Sequence, residues 1–427
     1  VYQVSGGMPV LAYLVGLIAL LFTAASYSQM VKAFPLAGSV YNYAGRGLGA
    51  PFGFITGWAI LLDYLLVPGL LYLVASLAMN ASVPAIPFWG WLLIFVGGNT
   101  IINLRGIKMT ANFTKIMIVG ELIILAIYLG VGIYAISQGK GHFSLKPLFD
   151  SAGFSWSIVG AAVSVAVLSF LGFVGIAMLV EESKGGPTDV AKAMRWALGL
   201  AGLLFIAQVW VAAALVPDSA GLIANGDPNG TAFYDTAQVA GGHWLYQTTS
   251  IATAIAWGLA DTLVAQVAVS RLLYAMGRDK QLPAFLAKVS PRRAVPTNAI
   301  LLVAALSLAL VLFVNYYWDN GLARISSMIN MGAITAFVIL HLTVIWHYVV
   351  KKRSGNLWGH LLAPIVGAAI LIFVAYNADT SAKWVAGIWI AAGLVILGGL
   401  YAVGNKPKFE AHPLETTSAP APEGASA

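Results

Sequence analysis

The sequence contains no cysteine among its 427 residues, so disulfides, thiolate nucleophiles and cysteine-ligated metals are excluded. Charge is scarce as well: Asp, Glu, Lys and Arg make up 9% of the chain, against roughly 25% in a soluble domain. The opposite bias, 59% hydrophobic residues and a mean hydropathy of +0.84, places the chain among polytopic membrane proteins. Also missing are HExxH, GxSxG and any paired His–Asp pattern within the apolar runs, which argues against an intramembrane enzyme. The first residues lack the charged, apolar and cleavage regions of a signal peptide. VYQVSGGMPV reads instead as the tail of a further helix whose beginning is absent.

Apolar stretches near the ~20 residues needed to cross a bilayer fall at roughly 10–32, 52–79, 88–104, 112–138, 155–180, 193–216, 245–270, 297–314, 321–350, 360–377 and 384–404. Those are eleven spans, or twelve with the leading helix restored. The net charge of +7 is a topology signal, not a nucleic-acid one. With the 32–51 loop cytoplasmic, alternation puts 19 of the 23 Lys and Arg on that side, leaving Lys140, Lys146, Arg324 and Lys383 opposite. By the positive-inside rule both termini are expected in the cytoplasm. Residues 1–404 then form one transmembrane domain, and 405–427, rich in Pro, Ala, Ser and Glu, a disordered cytoplasmic tail. The longest outer loop, about 217–244, holds Asp218, Asp227 and Asp235 and no Lys or Arg. Avoidance of positive charge outside accounts for it more simply than attraction of cations.

The stretch SWSIVGAAVSVAVLSFLGFVGIAMLVEESK, Ser155 to Lys184, carries Gly172 and Gly175 mid-span. A helix interrupted there exposes backbone polar groups that lipid cannot satisfy, so it is expected to line a cavity. Three carboxylates sit well inside spans: Asp63 in GWAILLDYLLVP, Glu121 in MIVGELIILA and Asp261 in AWGLADTLVA. Each costs roughly 2.5–3.5 kcal/mol on insertion scales, and three together approach the whole stability of an ordinary domain. No Lys or Arg lies at equal depth on these spans, so a transported cation or a proton is the expected partner. Trp257, one turn before Asp261, adds an aromatic face suited to an ammonium. Glu121, between Met117 and Leu125, suits a proton carrier. Tyr64 and Phe173 are ring candidates for a pocket, whereas His341 and His347 show no metal-ligand spacing and read as structural. GRGLG at 45–49 follows no strand and is not a dinucleotide fingerprint.

Several stretches resemble the amino acid–polyamine–organocation transporter superfamily. LFTAASYSQMVKAFPLAGSVYNYAGRGLG followed by FGFITGWAILLDYLLVP is similar to its second and third helices. SFLGFVGIAMLVEESKGGP resembles its sixth, and VSRLLYAMGRDKQLP the end of its eighth; the look is closest to bacterial putrescine importers. The resemblance implies an all-α, twelve-helix fold with two inverted five-helix repeats, helices one and six being broken. It also implies uptake by alternating access, coupled to H⁺ or Na⁺, with no other cofactor. Residue by residue, Asp63 and Tyr64 match the importers' LLDYL pattern, while Gly172, Phe173 and Gly175 stand in the unwound sixth helix. Glu121 falls where relatives place an ion-coupling group on helix five, and Trp257 and Asp261 lie on helix eight, facing the site. Two departures matter: the importers read GFD at the break, where this chain reads Gly172-Phe173-Val174, and the unwound part of helix one is missing from the sequence. The expected partners are the lipid bilayer and a small amine, putrescine first and an α-amino acid second. No nucleic acid is expected, the protein is a monomer or a homodimer, and its location is the cytoplasmic membrane.

Overall fold

In lipid every backbone amide must find its partner within its own segment, so long apolar runs wind into helices. The computed structural model describes residues 1–404 apart from 37, 228–229, 292 and 319–320, and for 107, 108, 321–324 and 327 the backbone alone. The tail expected at 405–427 lies outside the described residues. All regular structure among the described residues is helical. Helix α1 (Pro9–Ala33) is followed by the short α2 (Val40–Gly47), then α3 (Ala50–Ser82), α4 (Phe88–Leu104) and α5 (Ile107–Ser137). Next come α6 (Trp156–Phe170) with a 3₁₀ segment, Phe173–Glu182, then α7 (Gly186–Ala214), and two outer-loop helices, α8 (Ser219–Asn225) and α9 (Ala232–Gly241). Helices α10 (His243–Ile255) and α11 (Thr262–Arg278) flank a π-helical turn, Ala256–Asp261. The last four are α12 (Thr297–Tyr317), α13 (Gly321–Val344), α14 (Ala363–Asn377) and α15 (Thr380–Ala402).

Ten of these units are long and apolar enough to cross a bilayer, and α4, at 17 residues, supplies a shorter eleventh. Ten of the eleven expected spans are thus long and apolar enough to cross among the described residues, and the eleventh, 88–104, is the shorter α4, in an all-α polytopic arrangement. Helix α3 is the axis of the bundle. Two-thirds (67%) of its most apolar window is buried, against 11% for α5 and 17% for α7 and α15. It packs on α2, α4, α10, α11, α12, α13, α15 and the π turn.

Loop contacts sort into two ends. At one, the Tyr41 hydroxyl donates to Asp279 (2.9 Å), Lys351 Nζ to the Gly47 carbonyl (2.9 Å) and Arg293 Nη1 to the Leu104 carbonyl (2.9 Å). At the other, the Val10 amide donates to Pro147 (3.0 Å), the His142 amide to Ala214 (3.0 Å), and the Tyr2 and Ser219 hydroxyls meet at 2.7 Å. The acids of the 217–244 loop act locally: Asp218 accepts from the Gly221 amide (2.8 Å), capping α8, and Asp227 from the Thr231 and Ala232 amides (2.9 and 3.0 Å).

Candidate functional site

The sixth crossing unit is broken. Helix α6 starts on Ser155, whose hydroxyl accepts from the Ile158 amide (3.2 Å), and stops at Phe170. Leu171 is extended, and Gly172 takes φ +118°, ψ −32°, a region that side-chain-bearing residues avoid. A ten-residue 3₁₀ segment follows, far beyond the usual three or four. One hydrogen-bonded ladder ends and another begins at mid-depth, leaving donors and acceptors free for a polar guest. Gly172 and Gly175 differ in role: a Cβ at Gly172 meets nothing within 4 Å, so conformation alone requires glycine, while one at Gly175 meets Ala268 at an ordinary 3.6 Å.

The candidate residues fall into two groups around this break. In the first, Asp63 on α3 is 2% exposed and has no hydrogen-bond or ion-pair partner among the described residues. It lies within electrostatic reach of Tyr27 and Tyr64. The Tyr27 ring stands edge-on to Tyr43 (5.9 Å between centroids), to Phe173 just past the break (6.0 Å) and to Phe337 (6.0 Å). Backbone enters close by, because a Cβ on Gly332 of α13 would sit 2.8 Å from the Ala59 carbonyl and 3.2 Å from the Asp63 amide. A carboxylate beside several ring faces is the chemistry that recognises an ammonium.

In the second group, Glu121 on α5 and Asp261 at the end of the π turn interact electrostatically. Glu121 Oε1 is buried without a partner, while Asp261 is accessible. An apolar cavity of about 350 Å³ lies between α5, the 3₁₀ segment and α11, lined by Thr110, Lys115, Ile118, Leu179 and Val264. Ile118 and Val264 are one turn from Glu121 and Asp261, so the cavity leads from the basic end towards the pair. Two nearby carboxylates without a cation repel, and a proton or an ammonium relieves that repulsion. Trp257, half-buried, packs on the apolar cluster of Leu70, Leu73 and Ala254, on which Leu168 and Leu171 also pack. The structure records no interaction between Asp63 and either of the other two carboxylates among the described residues.

At the basic end the 3₁₀ segment is held shut. Arg271 pairs with Glu182 at 2.7 Å, and Arg278 stands 3.9 Å from Glu181 and 3.4 Å from Asp279. His341 bridges α13 to α1, with Nδ1 2.8 Å from the Ser26 hydroxyl and Nε2 3.3 Å from the Thr23 hydroxyl. His347 lies edge-on to Phe34 at 5.0 Å. Sequence reasoning missed Tyr27, Tyr43 and Phe337; each is one aromatic among many in the chain, and only their convergence around Tyr27, beside Phe173, singles them out.

Comparison with known proteins agrees with this architecture. The sequence profile of the family described as "Amino acid permease" matches residues 2–402. The low-affinity putrescine importer PlaP of Escherichia coli (strain K12) is 32% identical over 399 residues, covering 90% of this chain and 84% of the importer. The branched-chain amino acid permease BcaP of Lactococcus lactis subsp. cremoris (strain MG1363) is 28% identical, over 95% of this chain and 89% of the permease. The methylthioribose transporter of Bacillus subtilis (strain 168) is 25% identical, over 92% and 85% respectively.

Proposed function

This chain belongs to the amino acid permease family, a multi-pass membrane transporter and not an enzyme, and from that premise we propose that it imports putrescine or a related polyamine. The observation that carries the reading is Asp63: a carboxylate buried in the central helix without a cationic partner, beside Tyr27 and Tyr64 and near the break at Gly172. One ammonium of the diamine pairs with Asp63, its methylene chain packs on Phe173 and Tyr64, and the second ammonium reaches Asp261. Glu121, beside Asp261, takes up the coupling proton and releases it through the cavity that leads to the basic end. That end faces the cytoplasm and the membrane is the cytoplasmic one, so Tyr2 and Ser219 stand at the outer end.

Alternating access is the mechanism this geometry supports. The break at Leu171–Gly172 acts as the hinge, and the Arg271–Glu182 and Arg278–Glu181 pairs are the contacts that part when the 3₁₀ segment swings inward. A second reading, an α-amino-acid permease, is favoured by one observation: fully buried Val174 stands where the putrescine importers carry an acid. Competition separates the two. In proteoliposomes, uptake of labelled putrescine is expected to be blocked by unlabelled diamines and left intact by α-amino acids; the reverse pattern establishes the alternative. Uptake is expected to follow an inward proton gradient and to ignore sodium.

A further inference from the structure

The turn that carries Asp261 is not an ordinary helix turn. The Thr262 amide bonds to the carbonyls of Trp257 and Leu259, and so bypasses the Gly258 carbonyl it would meet in an α-helix. The bypassed oxygen is taken up from the side. Asn99 of α4, fully buried, donates from Nδ2 to the Gly258 carbonyl at 3.0 Å and to the Thr262 hydroxyl at 2.7 Å. The Thr262 hydroxyl donates to the same carbonyl at 2.7 Å, and the Tyr72 hydroxyl lies 3.1 Å from Asn99 Nδ2. One turn earlier on α4, Phe95 packs so closely on Gly258 that a Cβ there would lie 2.8 Å from three atoms of its ring. Phe95 and Asn99, four apart on one face of α4, therefore grip the glycine and its carbonyl together.

We propose that Asn99 is a positioning residue that holds the wide turn open and so sets where the accessible Asp261 carboxylate points; this rests on the reading of Asp261 as a cation site. Without the side-chain cap, the Gly258 carbonyl regains the Thr262 amide, the turn closes to α, and the register shifts by one residue. Residue 261 then rotates by roughly 100°, the angle of one α-helical position. Only the turn's geometry changes; no charge is lost.

The natural absence of cysteine makes this measurable. Asp261→Cys creates the single thiol in the chain, and its labelling by a small water-soluble thiol reagent reports how residue 261 is aimed. Adding Asn99→Leu is expected to slow labelling about tenfold, since a register shift turns the residue towards packed helix. Thr262→Val is expected to act in the same direction, and Thr262→Ser, which keeps the hydroxyl, to restore it. In the Asp261 background, Asn99→Leu is expected to raise the KM for putrescine as Asp261→Asn does, with little change in kcat. Unchanged labelling in both Asn99→Leu and Thr262→Val overturns the inference, and if Asn99→Leu fails to fold, Thr262→Val decides alone. Slowed labelling with Asp261→Asn transporting normally instead sinks the cation-site reading while the positioning role stands.

Discussion

Replacing Gly172 by alanine isolates what the helix break contributes. The added methyl meets nothing within 4 Å, so no clash enters the balance. What remains is backbone strain: φ +118° lies where only glycine is comfortable, and holding another residue there costs about 1–3 kcal/mol. At about 1.4 kcal/mol per tenfold change, this shifts the balance between broken and wound conformations by roughly 5- to 150-fold. The cheapest relief is to wind residues 170–174 into continuous helix, which removes the hinge and its free backbone groups. Gly175 provides the internal control, because it lies in helical backbone and its Cβ would make an ordinary 3.6 Å contact with Ala268. Initial uptake rates in proteoliposomes, normalised to inserted protein, should fall at least fivefold for Gly172→Ala and stay within twofold of wild type for Gly175→Ala. Equal losses in the two variants, or wild-type uptake in Gly172→Ala, refute the reasoning.

Two further outcomes test the frame around the site. Asp379 caps α15 by accepting from the Ser381 hydroxyl and from the Ser381 and Ala382 amides (2.9 and 3.4 Å). The Ser381 bonds hold its carboxyl below the usual carboxylate range. A depressed folded-state value means the stabilisation is complete above the ordinary carboxylate range and is lost as pH falls through the folded value. Asp379→Ala should cost about 0.5–1 kcal/mol at neutral pH in thermal unfolding of the detergent-solubilised protein, whereas Asp379→Asn should keep most of the cap and lose the pH dependence. Ser26→Ala leaves His341 Nδ1 without its partner in a fully buried site and should cost about 1–3 kcal/mol in the same assay; an unchanged melting temperature removes that bond from the account.

The spans and their alternation were legible in the sequence because hydropathy and charge distribution are written residue by residue. So was the break, since two glycines inside an apolar run admit few other readings. What glycine does there was not legible: both look alike in sequence, and only the positive φ of Gly172 distinguishes a conformational requirement from an easy contact. The wide turn was not legible either: AWGLAD winds as a π turn under side-chain bonds from another helix, and nothing local announces that. Asp63 was found from its burial cost and the LLDYL pattern, whereas the rings that meet at Tyr27 come from α1, α2, the 3₁₀ segment and α13, far apart in the chain.

Substrate recognition at Asp63 is tested most directly by the KM for labelled putrescine in reconstituted Asp63→Asn. Truncating one partner of a buried charge pair costs about 2–5 kcal/mol, a rise in KM of roughly thirtyfold or more. Folding should be unharmed, because this carboxylate has no hydrogen-bond or ion-pair partner to lose among the described residues. A thirtyfold weaker KM in a normally folded variant is the expected result; a wild-type KM contradicts the account.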